Sequence, residues 1–561
     1  MAKKNFISLL VEESKSYVGI ERIDQLIQSG QTLEHIPVQP LYMSTRTLSI
    51  EAKAELLPRL SKTQRKVFLD IDLWNRDEIS VNDFTQWIYI YSCASDELKY
   101  EFIKSPEFAL FLKARFNIWT FDIEDPQYPD HDYYFLTECN QLLFEYDENC
   151  EFIDQIKEAI KLLYSQEGVE NAYSYIFKIV ADQIGMMSED EYRLKKSLLQ
   201  DYGFIDYFEA LELINTFPTE KHLNNFIRKI INSKKPKVSL EEELRLQRTP
   251  YSLISPFENS DQGFQSEVDK ISDLDRIDFL NFNFVKLINA NIEINGGIKK
   301  EAIQITRTSK ETKTCIELGL SYLQNFIELE YKIPYTIFEI FSFTEVFKIG
   351  KSLIQIRQKR IKNIFHQLQI DEAFDTFLGQ YFDNFISSSL SRNYEFTNLA
   401  QKKLVINNME SFQRWSDQIE QLIEILPFAK AFKEKLGDFK TRNLIQDHFY
   451  LNYNVKDIDF PALLISSFAN FYLNDSLDQF KMGLTLEEFK KFLKSYQLKL
   501  DDSDWQSRLD DFIIAFGFDK ITNFKQVISV LLDDALDGYA EMKDLRDEEF
   551  KFIGGPIILN G

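Results

Sequence analysis

Apolar side chains recur at helical spacing along most of the chain. Phe152, Ile153, Ile156, Ile160 and Leu163 share one face, and Trp505, Leu509, Phe512, Ile513 and Phe516 share another. Leu353, Ile354, Ile361, Ile364, Phe365 and Leu368 form a broader stripe, with Arg357, Lys359, Arg360 and Lys362 mostly opposite. Side chains three and four apart lie on one side of a helix, so these stripes predict helices that bury a face against their neighbours. Residues 460–473 are apolar almost throughout. They fall short of the roughly 20 residues a membrane span needs and contain Asn470 and two serines, so they predict a buried core helix.

Helix starts are marked by capping boxes at Ser61 with Gln64, Ser188 with Glu191, Thr485 with Glu488 and Ser503 with Gln506, and more weakly by Asp206 with Glu209. In each, the short side chain accepts from a free backbone N–H while the longer one reaches back to the cap. Ser105-Pro106 places proline at a first helical position, where its missing N–H costs nothing. One region departs from the helical pattern. Residues 116–121 are aromatic and β-branched, an acidic loop with Pro126 and Pro129 follows, and residues 133–137 and 141–146 flank a short Glu138-Cys139-Asn140 turn. This predicts a small antiparallel sheet or hairpin that needs helices to pack on. Residues 233–263 hold Lys234-Lys235-Pro236, Thr249-Pro250, Ser255-Pro256 and Gly263. Breakers at that density predict a linker between an N-terminal helical domain, 1–232, and a C-terminal one, 264–561.

Composition sharpens this picture. The chain has 561 residues, too many for one ordinary core, and only 18 glycines and 14 prolines, too few for an all-β fold rich in tight turns. The fold class is therefore mainly α and multi-helix, a two-part array open to superhelical winding, with a small antiparallel β element near 116–146. A net charge of −24 repels nucleic-acid phosphates and anionic lipid surfaces, so neither is expected as a partner. No integral membrane insertion is expected either. Four cysteines (Cys93, Cys139, Cys150 and Cys315) form no CxxC pair, which fits a reducing cytoplasm.

Candidate chemistry is sparse. Residues 69–84 have the outline of a calcium-binding helix–loop–helix. With Ile79 at the eighth loop position, Asp72 falls at the first and Asp83 at the twelfth, but Trp74 and Arg76 fall where oxygen ligands belong. An indole and a guanidinium cannot ligate calcium. The segment is read instead as a helix–turn–helix with Trp74 and Trp87 packed and the aspartates capping. The acidic loop (Asp122, Glu124, Asp125, Asp130 and Asp132, with His131) matches no ordered metal site, and His35, His222, His366 and His448 are scattered. No phosphate loop, dinucleotide fingerprint or nucleophile elbow is present. No catalytic, cofactor or metal residue is assigned.

Three stretches resemble a family of large uncharacterised bacterial proteins, a domain of unknown function. The first, 60–87, contains Gln64, Leu69-Asp70-Ile71-Asp72-Leu73-Trp74, Asp77 and Trp87. The second carries Gly203-Phe204, Tyr207 and Glu209-Ala210. The third has Leu318-Gly319-Leu320, Leu323 and Phe347-Lys348-Ile349-Gly350, with Lys348 where the family tends to have arginine. The resemblance implies a bacterial, soluble, helical protein with Asp70, Asp72, Trp74, Trp87, Gly203, Phe204 and Gly350 as structural landmarks. It implies no activity. The functional expectation is a non-enzymatic cytoplasmic scaffold or adaptor that binds protein partners. The alternatives are an enzyme with an active site dispersed between the two halves, or a regulator responsive to divalent cations.

Overall fold

The computed structural model describes residues 20–36, 38–46, 48–75, 78–202, 204–233, 267–299, 302–331, 336–369, 377–398, 401–441, 458–475, 484–497 and 503–540. The expected linker beyond Ser233, Gly203, Arg76, Asp77, His448 and the apolar stretch 552–559 lie outside the described residues.

The chain is mainly helical. Helices α1 (Ile20–Gln28), α2 (Val38–Thr45) and α3 (Ile50–Leu56) lead into α4 (Lys62–Leu73). A two-residue hairpin, β1 (Trp74–Asn75) with β2 (Glu78–Ile79), joins α4 to α5 (Val81–Ser92). Helices α6 (Asp96–Ile103) and α7 (Pro106–Arg115) precede β3 (Asn117–Thr120), β4 (Tyr134–Leu136) and β5 (Leu142–Glu145). Then come α8 (Ile153–Glu167), α9 (Val169–Ala181), α10 (Ile184–Asp201), α11 (Tyr207–Leu213), α12 (Glu220–Asn232) and α13 (Leu274–Ile294). The remainder runs α14 (Ala302–Glu330), α15 (Ile337–Ile340), α16 (Phe343–Leu368), α17 (Gln380–Leu390), β6 (Glu395–Thr397), β7 (Lys403–Val405) and α18 (Met409–Thr441). It ends with α19 (Phe460–Asn474), α20 (Leu486–Gln497), α21 (Ser503–Ala515) and α22 (Phe524–Ala540). None of the helices searched among the described residues is long and apolar enough to cross a membrane.

The chain forms two compact units: Met1–Asn215 with Ser233–Thr312 and Pro334–Glu345, and Thr216–Asn232 with Lys313–Ile333 and Val346–Gly561. In the first, the expected β element is a three-stranded antiparallel sheet in the order β3-β5-β4. Asn140 takes a left-handed conformation (φ 54°) in the turn between β4 and β5, which asparagine tolerates better than most residues. Phe144 on the central strand is fully buried and stacks on Phe135 with centroids 5.0 Å apart. Capping follows the sequence at α4, where Ser61 and Gln64 form the full reciprocal box, and at α7, where Ser105 accepts from the Phe108 N–H at 3.2 Å. It departs at Ser188, which lies inside α10. There the Glu191 carboxylate reaches Lys66 at 2.7 Å instead of a cap. Burying a charged pair outweighed a local cap that the helix does not need at that point.

In the second unit, the apolar segment near 460 is the expected core helix. Every residue of α19 from Phe460 to Phe471 is buried. The stripe on α21 meets it, with Trp505 and Phe512 each 5.3 Å from the Phe468 ring. The third resembling stretch forms one helix crossing. A Cβ at Gly319 on α14 would fall on the Val346 carbonyl, and one at Gly350 on α16 would fall on the Cys315 carbonyl. Each glycine lets the opposite backbone approach, so both are fixed by one contact.

Candidate functional site

Asp70 and Asp72 sit one step apart near the end of α4 and point to different partners. The Asp72 carboxylate accepts from the Tyr42 hydroxyl, and from the Trp87 indole N–H at 3.0 Å. Burial raises its pKa, although both donors favour the ionised form. Asp70 and Asp72 therefore do not cap, contrary to the sequence expectation. Ser80 caps α5, accepting from the Asp83 N–H at 3.4 Å. Trp74 and Trp87 are each only 4% exposed, as expected of packed landmarks.

Asp70 joins a buried ion cluster. Lys66, one turn earlier on α4, has its ammonium 3.7 Å from Asp70 and 2.7 Å from Glu191 on α10, and it donates to Glu107 on α7. Glu107 lies in the first turn of α7, where the free N–H groups favour negative charge. Burial alone would depress the Lys66 pKa, but Glu107 and Asp70 outweigh it and hold the pKa above the ordinary lysine range. Burial pushes Asp70 up to about 8, Lys66 opposing and Glu107 reinforcing the shift. Burial also raises Glu191, against the pull of Lys66.

On the far side of Asp70 a cleft of about 360 Å³ opens within the first unit. Its walls include Trp74, Tyr192, Lys195, Phe204, Glu293 and Lys299. Lys195 is 9% exposed, and its ammonium stands 4.8 Å from the Trp74 ring centre and 5.0 Å from that of Tyr192. Both distances suit cation–π attraction. Burial lowers its pKa to about 8, against the pull of Asp70, Glu293 and Asp206. The Tyr192 hydroxyl donates to Asp206 at 2.7 Å. Burial pushes Asp206 up, but Tyr192 and the Phe208 N–H more than reverse this and leave its pKa below the usual carboxylate range. Lys299 donates to the Asp72 carbonyl at 2.8 Å and so ties the turn after α13 to the end of α4. The buried Trp74 indole N–H meets no acceptor.

The landmarks Asp70, Trp74 and Phe204 thus line one cleft, while Asp72 and Trp87 brace its rear. Gly350 belongs to the helix crossing in the second unit. Sequence reading missed Lys66, Glu107, Glu191, Lys195 and Lys299, which no motif spacing connects. One signal was available. Glu107 opens the run Phe108-Ala109-Leu110-Phe111-Leu112, which is fully buried, so a charge there needs an internal partner. His131 and the acidic loop do not converge on the cleft; His131 contacts Glu145 at 2.8 Å. Among the described residues, no group of three or more His, Cys, Asp or Glu side chains is placed to hold a metal ion.

No significant match to the chain was found among curated proteins or among solved structures. A family model, however, matches residues 8–558, nearly the whole chain, so that every landmark of the cleft and of the helix crossing lies within it. The chain belongs to the family of unknown function DUF6178.

Proposed function

We propose that the first unit binds a small anionic molecule with a planar or apolar body in the cleft between Trp74, Tyr192 and Lys195. The observation that carries this reading is Lys195, a buried ammonium on two aromatic rings at the wall of a cleft large enough for a small ligand. Burial outweighs the carboxylates around it, so the cation is held at a disadvantage. A ligand carboxylate or phosphate beside Lys195 would further stabilise the ammonium, while the rings give a flat body a surface to lie on. The test is calorimetry and thermal shift of the full chain against a panel of aromatic carboxylates, aliphatic carboxylates and phosphate esters. One class is expected to bind saturably, to change Trp74 emission and to weaken about tenfold or more in Lys195→Met, since removing a charged partner costs more than about 1.4 kcal/mol. Failure of every class at millimolar concentration, with the protein folded, would sink the reading.

A scaffold or adaptor role is the second reading, and exposed apolar side chains favour it. Met186 and Leu194 on α10 are 64% and 63% exposed, and Val169 and Phe177 on α9 are 54% and 44% exposed. Exposed apolar side chains on two consecutive helices suit a protein partner. Affinity purification from the native cell should recover a stoichiometric partner that Met186→Glu with Leu194→Glu releases. Recovery of the chain alone would count against this role.

A further inference from the structure

Three carboxyl groups meet one ammonium where α4, α7 and α10 pack together. Asp70 is 1% exposed, Glu107 0% and Glu191 5%. Were all three ionised, the cluster would carry two net negative charges almost out of reach of water. Neither Asp70 oxygen accepts a hydrogen bond, and neither does Oε2 of Glu107. Three buried carboxyl oxygens without a donor are costly. A single proton between the two side chains answers two of the three and removes one charge, because a carboxylic acid O–H on one can donate to the carboxylate of the other.

We propose that Asp70 and Glu107 share one proton at neutral pH, and that this proton is a pH-sensitive clasp holding α10 against α4 and α7. The groups facing it are Lys66 from α4, Glu107 from α7, and Glu191 and Lys195 from α10. The N-terminal turn of α7 favours the charge on Glu107, so the proton rests on the Asp70 side. The pKa of Asp70, raised by burial to about 8, agrees with this placement. As the pH rises through that value the cluster gains a negative charge, which repels Glu191 and pushes α10 away from α4. The clasp does not rest on the ligand-binding reading: Asp70 borders the cleft, but Lys66, Glu107 and Glu191 are not among its walls.

Infrared spectroscopy of the full chain from pH 6 to 10 tests the proposal. A protonated carboxyl C=O band should be present at pH 7, disappear with a midpoint about 8, and be missing from Asp70→Asn at every pH. Amide exchange in α10, corrected for intrinsic base catalysis, should speed up by up to about tenfold per pH unit from pH 6 to that midpoint in the wild type but not in Asp70→Asn, because opening releases the one proton that the closed form holds. If Asp70→Asn fails to fold, a lower midpoint of the same band in Glu107→Gln serves instead, since Glu107 reinforces the Asp70 shift. The proposal is overturned if the wild type shows no such band at pH 7, or if the band titrates near the ordinary carboxylate value of about 4.

Discussion

Asp72 shows how much of the first unit rests on single side chains. Its carboxylate is the acceptor for both the Tyr42 hydroxyl and the Trp87 indole, which come from α2 and α5. In Asp72→Ala both donors are left buried and unmet, at about 1–3 kcal/mol each, so the first unit should lose about 2–6 kcal/mol. Urea unfolding followed by tryptophan emission measures this loss, and a change below about 0.5 kcal/mol would show that water replaces the carboxylate. Gln64 works the same way without charge. Its side-chain oxygen accepts from the Ser61 N–H while its amide nitrogen donates to the carbonyls of Leu33 and Ile36, each at 2.9 Å. One residue of a capping box thus also anchors the segment before α2.

Elements in this chain are set by local chemistry and joined by close contacts. The cap at Ser105 is local, and Ser105→Ala should cost about 1 kcal/mol in thermal unfolding, the usual value of an N-cap side chain. The α14–α16 crossing is not local. Gly350→Ala would press a methyl group into the Cys315 carbonyl, and the crossing has no flexible side chain to yield. A loss of about 1–3 kcal/mol is expected in the second unit, and the helices must separate to relieve it. Gly185, with open space around its Cβ position, provides the control. Gly185→Ala should leave stability unchanged or slightly improved, because alanine is the better helix former.

At the scale of the whole molecule the two displaced titrations oppose each other across pH. The folded pKa of Asp70 is raised to about 8 from an unfolded value of about 4, so the folded state binds the extra proton in that window. Stability from this group is full below pH 4 and falls by about 1.4 kcal/mol per unit until pH 8. The folded pKa of Lys195 is lowered to about 8 from about 10.4, so here the unfolded state binds the extra proton, and stability rises between those values. Together they predict a minimum near pH 8 in the contribution of this site. Denaturation midpoints from pH 6 to 10 should show a dip in the wild type that Asp70→Asn with Lys195→Met removes. Parallel curves for the two proteins would refute it.

The fold class and many element positions were legible in the sequence, because helical stripes, caps and turn residues act over a few residues. Trp505, Leu509 and Phe512 announced a buried face, Ser61 with Gln64 announced a helix start, and the aromatic segments near 116–146 announced the small sheet. The β6–β7 hairpin went unread because strands of three residues are too short to show a period. The role of Asp70 could not be read either. Its neighbours Lys66 and Asp72 lie close in sequence, but Glu107, Glu191 and Lys195 come from helices whose packing alone brings them within reach. Sequence by itself determined which faces are apolar and where helices begin, since hydrophobic burial and capping depend on near neighbours. Only the tertiary structure decided which charges are buried together and what surrounds the cleft, since desolvation and Coulomb attraction depend on distances in space.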